Sequence, residues 1–122
     1  MFPALLQGEE LTQKDFVFGV RLPGAAKAWP LTAFTDKRVI NDSAGFQNLV
    51  LVGDAKTRTV RAYDRGDLEF SEDLQADGTG WTVTEEALVA SDGRKAPRIA
   101  GHVAYWFAWS GYLGDEAEYY DG

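Results

Sequence analysis

The chain has 122 residues, so it can bury the core of one domain but hardly that of two. Its 12 Lys and Arg residues stand against 19 Asp and Glu residues, and the net charge of −7 argues against a nucleic acid partner. The lack of cysteine excludes disulfides, thiolate nucleophiles and cysteine zinc sites. No secretory signal opens the chain and no apolar run reaches about 18 residues, so we expect no membrane insertion by this segment.

Most of the chain alternates between apolar and polar residues, which predicts strands joined by short turns. The predicted strands are DFVFGVRL (15–22), KAWP (27–30), KRVIND (37–42), NLVLVGD (48–54), TRTVRAYDR (57–65), LEF (68–70), GWTVTE (80–85) and a final EAEYY (116–120). LTAF (31–34) is predicted to form one helical turn, and the polar, glycine-rich EDLQADGTG (72–80) is predicted to be a loop.

The stretch HVAYWFAWSGYLG (102–114) changes from period two to a nearly helical period. Spacings of four, three and four place one stripe of a helix at His102, Trp106, Trp109 and Leu113, and Gly114 suits its end. We expect a helix packed on the sheet, with its histidine buried and neutral.

An alternative treats the same aromatic residues as a ligand surface. In that interpretation a sugar or an aromatic ligand stacks on Tyr105, Trp106, Trp109 and Tyr112, with His102 as a titrating group. Either way the fold class predicted is α+β and mainly antiparallel β. It is a small roll or partly open barrel, with one late amphipathic helix packed on it, in a single domain over residues 1–122 that includes an N-terminal extension over 1–15.

Two polar pairs end predicted strands and are candidates for ligand binding. Asn41 and Asp42 lie in VINDSAG (39–45), and Asp64 and Arg65 lie in RAYDRG (61–66). Turn chemistry is the favoured explanation of the first pair, and a surface ion pair is the usual explanation of the second. His102 is the only histidine and has no second histidine or cysteine beside it, so the sequence predicts neither a metal site nor a cofactor.

Four blocks of the sequence resemble, in the same order, the bacterial family called domain of unknown function 3179. They are FGVRLPGAAKAWPLTAF (18–34), VINDSAGFQNLVLVGD (39–54), VRAYDRG (60–66) and PRIAGHVAYWFAWSGYLGDEAEYY (97–120). The matching positions are Gly19, Val20, Gly24, Ala26, Trp29, Pro30, Leu31, Val39, Asn41, Asp42, Gly45, Tyr63, Asp64, Arg65, His102, Trp106, Phe107 and Trp109.

The chain departs from the family pattern at three places. It reads LVGDAKTRT (51–59) where many members carry a cysteine pair, Ala44-Gly45 where they carry two glycines, and Trp29 where tyrosine is usual. The resemblance implies a compact, mainly β domain over residues 16–120, often part of a longer exported protein of the periplasm or cell envelope. It implies no established activity.

Two functions follow as hypotheses. The first is a non-enzymatic binding or interaction module of the bacterial cell envelope, whose pocket near Asn41, Asp42, Asp64, Arg65 and His102 binds an unidentified protein or small molecule. The second is a small hydrolase or isomerase in which His102 is a general base steered by Asp42 or Asp64.

Overall fold

The computed structural model describes residues 16–23, 25–105 and 118–119, which form two β-sheets and one 3₁₀ helix. The first sheet has the strand order β10-β1-β2-β11 and the second has the order β3-β4-β5-β9-β8-β7-β6. The strands are β1 (Phe16–Leu22), β2 (Ala25–Pro30), β3 (Val39–Ala44), β4 (Gln47–Asp54), β5 (Thr59–Asp64), β6 (Gln75–Ala76), β7 (Thr79–Val83), β8 (Ala87–Ala90), β9 (Lys95–Ile99), β10 (His102–Tyr105) and β11 (Glu118–Tyr119). The 3₁₀ helix spans Leu31–Phe34.

Nearly all strand pairing in the described residues is antiparallel. Strand β1 pairs with β2 and with β10, and only the short β11 runs parallel to its neighbour β2. In the second sheet β3, β4 and β5 follow one another as hairpins, while β9 returns to pair with β5. The prediction of a mainly antiparallel β fold is confirmed.

The strands β3, β4 and β5 carry a hydrophobic core on each face. On one face Ile40, Leu49 and Leu51 pack with Phe18 and Trp29 of the first sheet. On the other face lies a second core of Val39, Val50, Tyr63, Phe70, Leu74, Ala76, Trp81, Leu88, Ala90 and Ala96. This core contains residues of both edge strands of the seven-stranded sheet, Val39 of β3 and Ala76 of β6. The sheet is therefore curled around the core like half of a barrel.

A loop rather than a strand covers the outer edge of β3. The Asn41 side chain donates to Phe70 O (2.9 Å) and accepts from Phe70 N (2.8 Å), as a neighbouring strand would. The Glu72 carboxylate accepts from the amides of Arg38 (2.7 Å) and Val39 (3.2 Å). The predicted strand LEF is therefore wrong, because its backbone bonds a side chain and forms no ladder.

The other predicted strands up to residue 85 all overlap an observed strand, and LTAF forms the predicted helical turn. The segment EDLQADGTG is not wholly a loop, because β6 within it pairs with β7. The final predicted strand contains β11.

The late helix is wrong where it can be compared with the structure. His102–Tyr105 is strand β10, in register with β1 from Gly19↔His102 to Phe16↔Tyr105, and the described part of the chain contains no α-helix. Val103 packs against the first core, so alternation along the strand puts His102 on the opposite face, where it is exposed rather than buried. The remaining predicted helix residues, at 106–114, and the predicted N-terminal extension lie outside the described residues.

Candidate functional site

The Asp42 carboxylate joins the two sheets. Its Oδ2 accepts a hydrogen bond from Trp29 Nε1 (2.8 Å) and lies 3.1 Å from Lys27 Nζ, while its Oδ1 accepts from Ser43 N (2.8 Å). The side chains of Lys27 and Asp42 are only 13% and 19% exposed. Both carboxylate oxygens thus already have partners inside the protein, and two of these partners, Lys27 and Trp29, belong to β2 of the opposite sheet.

The Arg65 guanidinium binds three backbone carbonyls. Nε donates to Leu49 O (2.8 Å), Nη1 donates to Leu68 O (2.8 Å) and Nη2 donates to Asp42 O (3.1 Å). These acceptors belong to β4, to the loop after β5 and to β3. Arg65 therefore ties the end of β5 to its neighbours and has its donors directed into the protein.

The structure brings four of the five predicted site residues together. Asp42 lies opposite Leu49, which lies opposite Asp64 in the next strand, and Arg65 follows directly. Asp64 Oδ1 accepts from Gly66 N (3.0 Å) in a turn that Gly66 can enter because its φ is +55°. Asn41 is engaged with Phe70, as described above.

His102 is not part of that group. It lies on the first sheet, on the face turned away from the core, whereas Trp29, which binds Asp42, packs in the core on the other face. The sheet therefore separates His102 from the Asp42 carboxylate. The part of each of the five residues in ligand binding or catalysis stays a prediction.

A different concave surface lies beside the second core, against which two of its residues, Val52 and Val83, pack. It consists of two adjoining cavities of about 350 Å³ and 300 Å³ that share Arg38, Gly53 and Asp54. We call their union the groove. The first cavity is also lined by Phe34, Thr35, Asp36, Lys37 and Glu72, and the second by Val52, Thr57, Thr59, Arg61 and Val83.

The groove has an apolar base and a polar rim. Val52 and Val83 are partly buried against the second core and form the apolar part. Gly53, which lines both cavities, has no room for a side chain, because a Cβ there would come within 2.7 Å of the Phe34 ring. Such a mixture of apolar surface and a few polar groups is typical of small-molecule sites.

The two arginines of the groove differ in how much of their hydrogen bonding is already used. Arg61 Nη2 donates to Glu85 Oε2 (2.8 Å), and Arg98 Nη1 lies 3.1 Å from Glu85 Oε1. Hydrogen bonding from Arg61 is the main reason that the pKa of Glu85 lies below its ordinary value. The Arg38 side chain, by contrast, is exposed and makes no hydrogen bond or ion pair within the part of the chain that the structure describes.

Sequence reasoning missed the groove. From the sequence, Arg38 and Arg61 are only polar positions of two predicted strands, and Val83 is part of a third. One signal was available, because Arg61 alternates with Tyr63 and therefore shares its face of β5. Nothing in the local pattern of that strand indicates that Arg38 and Val83 approach the same surface.

No group of three or more His, Asp or Glu residues suited to a metal ion occurs among the residues that the structure describes. Over the same residues, none of the helical structure is long and apolar enough to cross a bilayer.

Comparison with known proteins identifies a family. No curated protein and no solved structure matches the chain. A family model described as "Protein of unknown function (DUF3179)" matches residues 1–116, which is most of the sequence and includes both sheets up to β10. The chain therefore belongs to the DUF3179 family of proteins of unknown function.

Proposed function

We propose that this domain is a non-enzymatic binding module and that the groove is where it holds a small molecule. The observation that supports this most strongly is Arg38, which lines both cavities and whose guanidinium has no partner in the described structure. An exposed arginine beside a partly buried apolar surface offers charge, hydrogen-bond donors and hydrophobic contact to one ligand.

The geometry of the predicted catalytic residues argues for binding rather than catalysis. A general base needs a reacting group and an orienting partner within hydrogen-bond reach. Asp42 is engaged by Trp29 and Lys27, and it lies across the first sheet from His102. Asp42, one of the two carboxylates that could steer His102 in the hydrolase or isomerase hypothesis, is therefore engaged elsewhere. The family resemblance extends the proposal to a role in the bacterial cell envelope.

A groove-filling variant tests the proposal. Thr59 lines the groove, so Thr59→Trp should fill it. The control Thr82→Trp places the same side chain on the exposed face of β7, away from the face that carries Val83. Saturation-transfer NMR with a mixture of small aromatic acids, amines and alcohols measures binding. We expect the wild type and Thr82→Trp to bind members of the mixture and Thr59→Trp to lose them.

Circular dichroism should first show that both variants are folded, and Thr57→Trp replaces Thr59→Trp if the latter is not. A wild-type protein that binds no member of the mixture would contradict the proposal. So would a folded groove variant that binds as the wild type does.

A further inference from the structure

We infer that the groove selects a small organic monocarboxylate with a short apolar tail. This inference rests on the proposed function, because it names the ligand class of the same groove. It begins with the charges in the cavity that contains Val52. That cavity is lined by the two cations Arg38 and Arg61 and by one carboxylate, Asp54. The local balance therefore favours a ligand with one negative charge, although the whole chain is acidic.

The acidic groups near the arginines are largely occupied by other donors. Both oxygens of Glu72 accept from the backbone amides that begin β3. Asp54 Oδ1 accepts from Lys56 N (2.8 Å), and Glu85 lies between Arg61 and Arg98. None of these three carboxylates forms an ion pair with Arg38 in the described structure.

The donors suit a carboxylate in particular. Arg38 can offer its planar pair of N–H groups, the geometry that binds two carboxylate oxygens at once. The Arg61 guanidinium uses Nη2 for Glu85 and makes no other hydrogen bond in the described structure. A phosphate dianion would bring a second negative charge towards Asp54, so the singly charged carboxylate fits this cavity better.

The apolar base of the groove determines which group the ligand carries besides its carboxylate. Val52 and Val83 provide partly buried aliphatic surface beside the arginines, and the side chains of Thr57 and Thr59 complete the rim. A cavity of about 300 Å³ holds a short alkyl or aryl group and is at the lower limit of small-molecule sites. Shallow binding surfaces of this kind give modest affinity, so a simple probe is adequate.

Hexanoate and 1-hexanol are matched probes that differ in charge but not in chain length. Their dissociation constants should be measured by NMR titration for the wild type, Arg38→Gln and Lys95→Gln. Lys95 is an exposed cation on β9 that does not line the groove, so its variant removes the same charge elsewhere.

We expect hexanoate to bind more tightly than 1-hexanol. Loss of a charge-assisted contact in Arg38→Gln should weaken hexanoate binding about tenfold, against less than about twofold in Lys95→Gln. Binding of 1-hexanol should not change in either variant. Added salt should weaken hexanoate binding alone.

Two outcomes overturn the inference and remain separable from the proposed function. If both probes bind equally well and Arg38→Gln has no effect, the groove binds ligands but does not select carboxylates. If neither probe binds while the fragment mixture still binds the wild type and not Thr59→Trp, the ligand is of another class. Failure of the fragment experiment itself would instead contradict the proposed function.

Discussion

Arg65 and Arg38 show two opposite uses of an arginine at the ends of the strands β3 to β5. Arg65 donates to the carbonyls of Leu49, Leu68 and Asp42, whereas the Arg38 guanidinium makes no bond in the described structure. Arg65 directly follows β5 and Arg38 directly precedes β3, so both are polar residues at a strand end. A polar residue at a strand end can therefore bind a ligand only when the fold leaves its hydrogen-bond donors without acceptors inside the protein.

The same contrast extends to the neighbouring carboxylates. Asp42 has partners on both oxygens and is mostly buried, while Asp54 lines the open groove and receives one backbone amide. The region around Arg65 therefore holds strands and sheets together, and the region around Arg38 is accessible. Stability measurements can test this difference, because each region contains one arginine and one aspartate that can be compared with the same residue type in the other region.

The largest effect is expected for the two arginines. Arg65→Ala leaves three carbonyls without their donor and should lower the free energy of unfolding by about 2 to 4 kcal/mol. Arg38→Ala removes no contact and should change it by less than about 0.5 kcal/mol. Urea denaturation followed by tryptophan fluorescence measures both. Equal losses in the two variants would abolish the contrast.

Replacing Asp42 should also destabilise the fold more than replacing Asp54 does, but by a smaller margin than for the two arginines. Asp42→Asn removes the carboxylate charge that lies 3.1 Å from the Lys27 ammonium, whose side chain is 13% exposed, and should cost about 2 kcal/mol. Asp54→Asn keeps an oxygen for the Lys56 amide and should cost less than about 0.5 kcal/mol. Thermal unfolding of the pair at equal pH tests this. A more destabilising Asp54→Asn would reverse the assignment of the two regions.

The smallest effect is expected for Tyr63, which lies in the second core on the same face of β5 as Arg61 of the groove. Its hydroxyl donates to Thr84 O (2.8 Å), and burial raises the pKa of the phenol above its ordinary value, although the nearby cations Arg61 and Arg98 oppose the shift. Tyr63→Phe should cost about 0.5 to 1.5 kcal/mol at neutral pH.

The pH dependence of that cost has a definite sign. The raised folded pKa means that the unfolded state ionises first, so the advantage of tyrosine is complete below about pH 10, the ordinary tyrosine pKa, and is lost as the pH rises towards the folded value. The stabilities of the wild type and Tyr63→Phe should therefore converge in alkaline solution. A difference that grows with pH would mean that the phenolate is favoured in the folded protein.

Strands β1 to β5 can be predicted well because apolar residues of each strand lie in a core and because short turns join neighbours in the chain. Prediction failed at His102–Tyr105, where aromatic residues gave a helical spacing but pairing with β1, some 85 residues earlier in the chain, imposed a strand. It failed again at LEF, because the side chain of Asn41 takes the place of a strand partner. Local patterns contain neither of these long-range effects.

The polar pairs at 41–42 and 64–65 were predicted to lie at strand ends, and the strand register does place them together. The complete groove could not be predicted, because Val83 approaches Arg38 and Arg61 only when β9 returns to β5 and the sheet curls. That closure depends on a pairing between segments far apart in the sequence. The accessible site is therefore a property of the topology more than of any motif.

Hydrogen exchange at the arginine Nε–H groups tests the division between the two regions most directly. These groups can be observed individually by ¹H–¹⁵N NMR after assignment with Arg38→Gln and Arg65→Gln. We predict that the Arg65 Nε–H, bonded to Leu49 O at 2.8 Å, exchanges slowly with water, whereas the Arg38 Nε–H exchanges at the rate of a free side chain and slows only when hexanoate is added. Slow exchange at Arg38 in the absence of any ligand, or free exchange at Arg65, would contradict the account.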